Sequence, residues 1–347
     1  MTEDLEHPET VAVDLIQGKA NRVPRFKLGA HQGFVSKPDL NRIVTGHNLE
    51  IVLHLGAHKT ASTCIQRLLE TNRDRLLGAE IGLIGPSDVR SGATAQTGLW
   101  RSLRRPRRIG YADTILRLVA KAQQSGLRRL IVSEENLIGH LNGILMGNWC
   151  YERAGDRLER VLSSLPGSRL TVMLGVRGYA SFLPTAYAQA LRTSGFVPFD
   201  QELRQRLTSL DRGWPDLIGD IQRSCPPNAR LMVWKHEDFP GLEQDIVGTM
   251  VGLKTAKRLA SVNDKLMQGP TDRAIQRLHQ LARDEGAPSL ARIRQVFRIN
   301  GRQKGLAPFQ PWSAREKAML DARYEQDMIR LSQTGTVELM RPAASAA

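Results

Sequence analysis

The chain has 347 residues, of which 41% are hydrophobic, and 49 Lys and Arg against 35 Asp and Glu give a net charge of +14. This length is enough for one large domain or two small ones with a substantial core. No apolar run approaches the roughly 18 residues of a membrane-spanning helix, and the polar, acidic N-terminus does not resemble a secretory signal. The three cysteines, Cys64, Cys150 and Cys225, are too far apart for a metal-ligand or disulfide pattern, which favours a reducing cytoplasm.

The excess of positive charge predicts an anionic partner. The densest basic run, Arg101–Arg108, contains no aromatic residue on which a base could stack. No helix-turn-helix, zinc-finger or RNA-binding signature is present. Nucleic acid is therefore not expected as a partner, whereas an acidic glycan, a charged nucleotide or peripheral contact with an anionic membrane surface stays open.

An alternation of apolar runs and helical segments begins near residue 48 and continues to about residue 255. The predicted strands are Glu50–Leu55, Glu80–Ile84, Arg129–Ser133, Arg169–Val176 and Arg230–Trp234. Several runs are continuous rather than alternating, as in strands that are buried on both faces of a parallel sheet. The pattern predicts an α/β fold with a mainly parallel central sheet flanked by helices, in one domain over residues 48–335.

The two ends of the chain and the region after residue 255 follow a different pattern. Residues 1–47 show little periodicity and are predicted to form a partly ordered arm. Residues 255–335 are predicted to form a helical cap, with helices at Thr271–Ala287 and Pro288–Arg298 and a third that opens with a capping box at Ser313 and Glu316. Residues 336–347 are predicted to be a disordered tail.

The most informative segment, Gly-Ala-His-Lys-Thr-Ala-Ser-Thr-Cys at residues 56–64, follows the first strand and opens a helix. Free N–H groups of a helix start, one Lys and three hydroxyls meet there, which suits a phosphate or a sulfate. A Walker A loop places its Lys six residues after the first Gly, with a second Gly directly before it. Lys59 follows Gly56 by only three residues, so this is not a Walker A loop. An ordinary strand-to-helix turn with a capping hydroxyl is the alternative.

This segment resembles the 5′-phosphosulfate loop of sulfotransferases that use 3′-phosphoadenosine-5′-phosphosulfate (PAPS), in its bacterial form. The resemblance implies a P-loop-like fold, PAPS as co-substrate, no required metal and a catalytic role for Lys59. It also implies a cofactor-binding set: His58, Lys59, Thr60, Ala61, Ser62, Thr63 and Cys64. Two positions depart from the family pattern. Ala61 stands where Gly is usual, so a positive φ there would cost energy, and Cys64 replaces a common hydroxyl.

Two further segments resemble the elements that bind the 3′-phosphate in this family. The fourth strand ends at Arg177, and Ser181 lies one turn into the next helix; Arg offers a phosphate a forked set of donors. A short basic loop containing Lys304 resembles the one that closes over the same phosphate. The helix after Arg177 carries Tyr187 and Gln189, which are candidates for lining the acceptor pocket.

The third strand ends in an acidic pair, Glu134 and Glu135. Many carbohydrate sulfotransferases use a Glu as general base, so the resemblance implies Glu134 as the base and Glu135 as the second candidate. A carboxylate near a bound anion should have a raised pKa, which suits a base. The alternative is a pair that caps the following helix. His54, His58 and His236 are further candidates, for which a structural role is the simpler interpretation.

These resemblances imply a sulfotransferase that moves a sulfuryl group from PAPS to a hydroxyl of a carbohydrate or glycolipid. Two alternatives remain at this point. A P-loop nucleotide kinase or NTPase would bind Mg-ATP and carry an Asp at the end of a strand. A non-catalytic binder of an anionic polymer would retain a degenerate version of the same loop.

Overall fold

The computed structural model describes residues 49–90, 111–149, 151–165, 169–262, 269–301 and 306–342. The predicted arm, the basic run, Cys150 and Lys304 lie outside these ranges. No helix in the described ranges is both long enough and apolar enough to cross a bilayer.

Within the described residues, six parallel strands form one sheet in the order β2-β3-β1-β4-β5-β6. The strands are β1 (Glu50–Gly56), β2 (Ile81–Ile84), β3 (Arg129–Ser133), β4 (Leu170–Val176), β5 (Arg230–Lys235) and β6 (Glu338–Met340). The predicted α/β fold with a parallel sheet is confirmed, because the continuous apolar runs are indeed strands covered on both faces.

Helices occupy most of the remaining described chain. They are α1 (Ser62–Thr71), α2 (Arg73–Gly78), α3 (Tyr111–Gln124), α4 (Ala154–Leu162), α5 (Tyr179–Ser194), α6 (Gln201–Thr208), α7 (Trp214–Ser224), α8 (Phe239–Val251), α9 (Leu253–Ala256), α10 (Asp272–Glu285), α11 (Leu290–Ile299) and α12 (Ala314–Gln333). Residues 86–90 are also helical. The capping box predicted at Ser313 and Glu316 opens α12, with each residue bonding the backbone N–H of the other.

Two hydrophobic cores lie on opposite faces of the sheet, because successive side chains of a strand point to opposite sides. Ile51, Leu53 and Leu55 of β1 pack with helices α3 to α7 and α10 to α12. Val52 of the same strand packs with α1, α2 and α8. The central strands are therefore enclosed, and the polar groups at their carboxyl ends are where a ligand can approach.

The prediction of a tail without structure from residue 336 is wrong for Glu338–Met340. These three residues form β6, which pairs in parallel with β5 at the edge of the sheet. Their side chains are exposed or half-buried. The segment is also too short to form an apolar run of the kind that indicates a strand. β6 can pair with β5 only because the preceding helix, α12, places the chain beside this edge of the sheet. That placement depends on the tertiary fold and not on a local sequence pattern.

Candidate functional site

The carboxyl end of β1 is the point at which the order of strands reverses. β1 lies between β3 and β4; the chain builds β2 and β3 on one side and then β4, β5 and β6 on the other. Ligands of open α/β sheets bind at such switch points, because connections leave in opposite directions and open a crevice. Residues 57–61, which we call the Lys59 loop, connect β1 to α1 at this position.

The Lys59 loop is folded around the main-chain groups of Ala57. The N–H of Ala57 donates to the carbonyl of Gly175 on β4 at 2.9 Å. The carbonyl of Ala57 accepts hydrogen bonds from Thr60 Oγ1 at 2.7 Å and Ser62 Oγ at 2.9 Å. Each hydroxyl has one proton to donate, so Thr60 and Ser62 shape the loop in this structure. Thr63, one residue further along, is half-buried in the first turn of α1.

The backbone of the Lys59 loop leaves a row of donors open. The N–H groups of residues 59–63 donate to no acceptor in the described part of the chain, whereas the N–H of Cys64 bonds the carbonyl of Ala61 at 2.9 Å. Lys59 and Ala61 both have a positive φ, 64° and 69°, which costs energy for a residue with a Cβ. Successive N–H groups in such a conformation form a concavity that binds anions. Ala61 thus has the positive φ for which Gly is the usual residue at this position of the family pattern.

The Lys59 side chain lies among cations and amides. Its Nζ donates to Gln189 Oε1 on α5 at 3.1 Å. Burial lowers the pKa of Lys59, and the positive charges of Arg192 and Arg177 lower it further, to about 8, against a smaller opposing effect of Glu135. Lys59 is therefore still mostly protonated at pH 7, and none of the described carboxylates forms an ion pair with it.

Arg177 and Ser181, which were expected to bind the same phosphate, are in contact. Arg177 Nε donates to Ser181 Oγ at 2.8 Å, and Arg177 Nη1 donates to the main-chain oxygen of Lys59 at 3.0 Å. The carbonyl of Arg177 accepts from the indole N–H of Trp214 at 2.8 Å. Glu237 accepts from the N–H of Gly178 at 3.0 Å. Both ends of this short turn are thus fixed, and the guanidinium is held beside the Lys59 loop.

Glu134 is fully buried and already engaged. Arg90 donates to both of its carboxylate oxygens, at 3.0 and 2.9 Å. The N–H of Asn136 donates to Glu134 Oε1 at 2.9 Å, so Glu134 caps the 3-10 turn Glu135–Leu137. Burial raises the pKa of Glu134 against the lowering effect of Arg90. Glu134 therefore acts as the cap that was the alternative interpretation of the acidic pair. This arrangement gives no support to Glu134 as a general base.

Glu135 is the member of the acidic pair that lies next to the Lys59 loop. Its carboxylate accepts from Arg90 at 2.7 Å and from Gln66 Nε2 at 2.8 Å. A Cβ placed on Gly56 would come within 2.9 Å of the Glu135 Cβ. Burial alone would raise the pKa of Glu135, but His58, Gln66 and Arg90 together lower it to about 2. Glu135 is therefore ionised at neutral pH in the absence of a ligand.

His54 is part of the core and not of the crevice. Its Nδ1 forms a hydrogen bond with Ser133 Oγ at 2.8 Å, and its ring stacks on Trp234 with centroids 5.9 Å apart. Burial lowers its pKa to about 4. His54 therefore joins β1, β3 and β5 as a neutral side chain.

His58 and His236 both lie at the Lys59 loop. The His58 ring bonds Tyr151 Oη at 3.0 Å and Asn136 Oδ1 at 3.2 Å, and burial lowers its pKa to about 4. His236 lies near the backbone of Thr60, and burial followed by the charge of Arg177 lowers its pKa. The nearness of His236 to Lys59 could not be predicted, because 177 positions separate them in the chain (236 minus 59).

Two arginines of this region were not predicted from the sequence. Arg90 binds both members of the acidic pair, and Arg192 lies close enough to Lys59 to lower its pKa. Neither belongs to a motif. The one available signal for Arg192 was its spacing of three residues from Gln189, which puts both on one face of α5.

The site thus contains an open row of N–H donors, the Lys59 ammonium, and the Arg177 guanidinium bonded to the main chain of Lys59, at the switch point of a parallel sheet. Tyr187, the other acceptor-pocket candidate on α5, is buried, and its hydroxyl donates to the carbonyl of Val197 at 2.6 Å. Comparison of the chain with protein-family models gives no match, and comparison with curated proteins gives none either.

Proposed function

We propose that this chain is a sulfotransferase that moves a sulfuryl group from PAPS to a hydroxyl group, with a carbohydrate or glycolipid as acceptor. The observation that carries the proposal is the hydrogen bond from Arg177 to the main chain of Lys59. It joins the Lys59 loop to Arg177, so that one ligand with negative charge at two ends could contact both. PAPS has that form, with a phosphosulfate at one end and a 3′-phosphate at the other.

The Lys59 loop would receive the phosphosulfate end. Five successive N–H donors and the Lys59 ammonium are available there, and a bound oxyanion would replace Gln189 as the partner of Lys59. In the transfer, negative charge shifts onto the phosphate that leaves. Fixed donors and a cation aimed at that charge lower the barrier without reorganisation.

Arg177 and Ser181 would receive the 3′-phosphate. The Arg177 guanidinium is half-buried. Burial lowers its pKa against the raising effect of Glu237, whose carboxylate accepts hydrogen bonds from Gly178 and Tyr324. The Ser181 hydroxyl turns toward the same guanidinium. A phosphate monoester could therefore take bonds from Arg177 without breaking an ion pair, and from Ser181 if its hydroxyl turned away from the carbonyl of Gly178, to which it donates at 3.1 Å.

The general base would come from the acidic pair, with Glu135 favoured over Glu134 by position. Glu135 borders the loop, while Glu134 is enclosed and bonded to Arg90 on both oxygens. A negatively charged ligand at the loop would raise the pKa of Glu135 from its low resting value. Replacing the base by Gln should lower kcat by about 10² to 10⁴-fold, so Glu135→Gln and Glu134→Gln distinguish the two candidates.

Calorimetry with adenosine 3′,5′-bisphosphate and with Mg-ATP tests the proposal. We expect the bisphosphate to bind and Mg-ATP not to bind, with bisphosphate affinity lost in Lys59→Ala and Arg177→Ala. Arg153→Ala is the matched control, because the Arg153 side chain is 81% exposed and, among the described residues, its one ion pair is with Asp156 at the surface.

Binding of Mg-ATP alone would favour a kinase or NTPase, and binding of neither would favour a polymer binder; either result overturns the proposal. Turnover is tested with labelled PAPS against a panel of sugar and glycolipid acceptors. Near wild-type transfer by a folded Lys59→Ala variant would also contradict it.

A further inference from the structure

Arg192 is a half-buried cation that has no anionic partner in the described part of the chain. Its guanidinium stacks on Phe297 of α11, with Cζ 4.1 Å from the ring centroid. It forms no ion pair with any described carboxylate, and its charge acts on the neighbouring Lys59. Two like charges held together away from water repel each other. An arrangement of this kind is stabilised when an anion binds between or beside them.

The position of Arg192 along α5 separates it from the proposed 3′-phosphate site. Ser181 lies near the start of the helix, and Gln189, the partner of Lys59, lies eight residues later. At 1.5 Å per residue this is about 12 Å, and Arg192 is about 4.5 Å beyond Gln189. Lys59 therefore reaches α5 between Ser181 and Arg192. A nucleotide that extends from Lys59 toward Ser181 would leave Arg192 on the opposite side of Lys59, which the nucleotide does not occupy.

The way in which Arg192 is held leaves its donors available. A guanidinium that stacks with its face on an aromatic ring keeps its N–H groups at the edge, where they can bond a carboxylate, sulfate or phosphate in a forked manner. Phe297 is buried and fixed in the core. Arg294 Nε donates to the main-chain oxygen of Arg192 at 3.0 Å. The helical region therefore orients Arg192 without neutralising it.

We propose that Arg192 binds an anionic group of the acceptor, a carboxylate, sulfate ester or phosphate carried close to the hydroxyl that receives the sulfuryl group. This inference rests on the proposed function, and it assigns the acceptor to the class of acidic sugars. Lys59 would then contact the sulfuryl group that is transferred, and Arg192 would contact the charged group of the acceptor.

The test measures sugar binding to the full chain that is saturated with adenosine 3′,5′-bisphosphate. The probes are glucuronate, glucose 6-sulfate and glucose 6-phosphate, with neutral glucose as the reference. We expect at least one anionic sugar to bind about tenfold more tightly than glucose, as one charge-assisted hydrogen bond provides. Arg192→Gln should remove that preference, Arg192→Lys should retain part of it, and Arg153→Gln should leave it unchanged.

Bisphosphate affinity and the thermal midpoint of Arg192→Gln serve as the control for folding. Equal binding of glucose and all three anionic sugars by the wild-type chain would overturn the inference, and so would an unchanged preference in a folded Arg192→Gln variant. If bisphosphate binds normally in either case, only the role of Arg192 is rejected. If the wild-type chain does not bind bisphosphate, the sulfotransferase proposal itself fails, and the role of Arg192 fails with it.

Discussion

Arg177 donates a hydrogen bond to the main-chain oxygen of Lys59 at 3.0 Å, across 118 residues of sequence. The bond links the end of β4 to the loop that follows β1. It uses the backbone of Lys59, so it does not involve the ammonium group, which donates to Gln189 instead. The conformation of the loop and the position of the second cation are therefore coupled, while the charge on Lys59 can be changed independently.

The affinity for adenosine 3′,5′-bisphosphate should decrease as the pH rises through about 8. Lys59 has a pKa lowered to about 8, so it is charged below this pH and neutral above it. A bound anion favours the charged form, and binding above pH 8 should therefore take up a proton. Calorimetry from pH 6.5 to 9.5, in buffers of different ionisation enthalpy, measures both effects.

Lys59→Arg is the matched control for this pH dependence, because an Arg remains charged throughout the range. Its affinity should vary little between pH 7 and 9.5. A wild-type affinity that is equally constant would show that the charge of Lys59 does not contribute to binding.

Ala61→Gly should stabilise the fold by about 0.5 to 1 kcal/mol. Ala61 has a φ of 69°, a conformation that costs a residue with a Cβ about 1 to 2 kcal/mol and a Gly almost nothing. Part of this gain is offset by the greater freedom of Gly in the unfolded chain. Urea denaturation measures the change in the free energy of unfolding.

The contrasting substitution is Ala282→Gly in the interior of α10. It should destabilise the chain by about 1 kcal/mol, because the helical conformation suits Ala better. A loss of stability in both variants would mean that the backbone of Ala61 is not strained.

Arg90→Gln should destabilise the fold by about 3 kcal/mol. The substitution removes the cation that faces both carboxylates of the acidic pair, and the Glu134 side chain is fully buried. An uncompensated buried charge is the costly result of breaking such a pair. Adding Glu134→Gln to the same chain should restore part of the loss. Arg153→Gln, which breaks an exposed pair, should cost less than about 1 kcal/mol.

Gly175→Ala should weaken bisphosphate binding as well as stability. A Cβ at this position would lie 2.9 Å from Thr60 Oγ1 and 3.0 Å from Trp234 Cε2. Thr60 would have to move, which disrupts its hydrogen bond to Ala57, and overpacking costs about 1 to 3 kcal/mol. Gly78→Ala, where nothing lies within 4 Å of the new Cβ, should do neither. Unchanged affinity in Gly175→Ala would show that the loop tolerates displacement.

The main features of the fold were predictable because they depend on local patterns. Five strands lie where mainly apolar runs predict them, and α12 opens with a capping box. β6 was not predictable, since three residues with exposed or half-buried side chains form a strand only when a neighbouring strand is available to pair with them. Local patterns identify elements that are stable through their own buried faces, and they miss those that depend on a partner.

The positions of the candidate site along the backbone were predicted better than the contacts of its side chains. The position of Lys59 after β1 follows from sequence spacing, and so does the nearness of Arg177 to Ser181. Which member of the acidic pair faces the loop depends on Arg90, since this residue holds Glu134 in the interior. Contacts between side chains distant in sequence leave no periodic signal in a single chain.

The hydrogen bond from Ala57 to Gly175 has a consequence for how the chain folds. In the described residues β1 pairs only with β3 and β4, so the Lys59 loop is fixed by segments about 80 to 120 residues further along. Pairing over such separations is slow, because the conformational entropy of the intervening chain is lost before the stabilising contacts form. During synthesis, the first strand would emerge well before its neighbours. The loop would thus acquire its shape late, after β4 has joined the sheet.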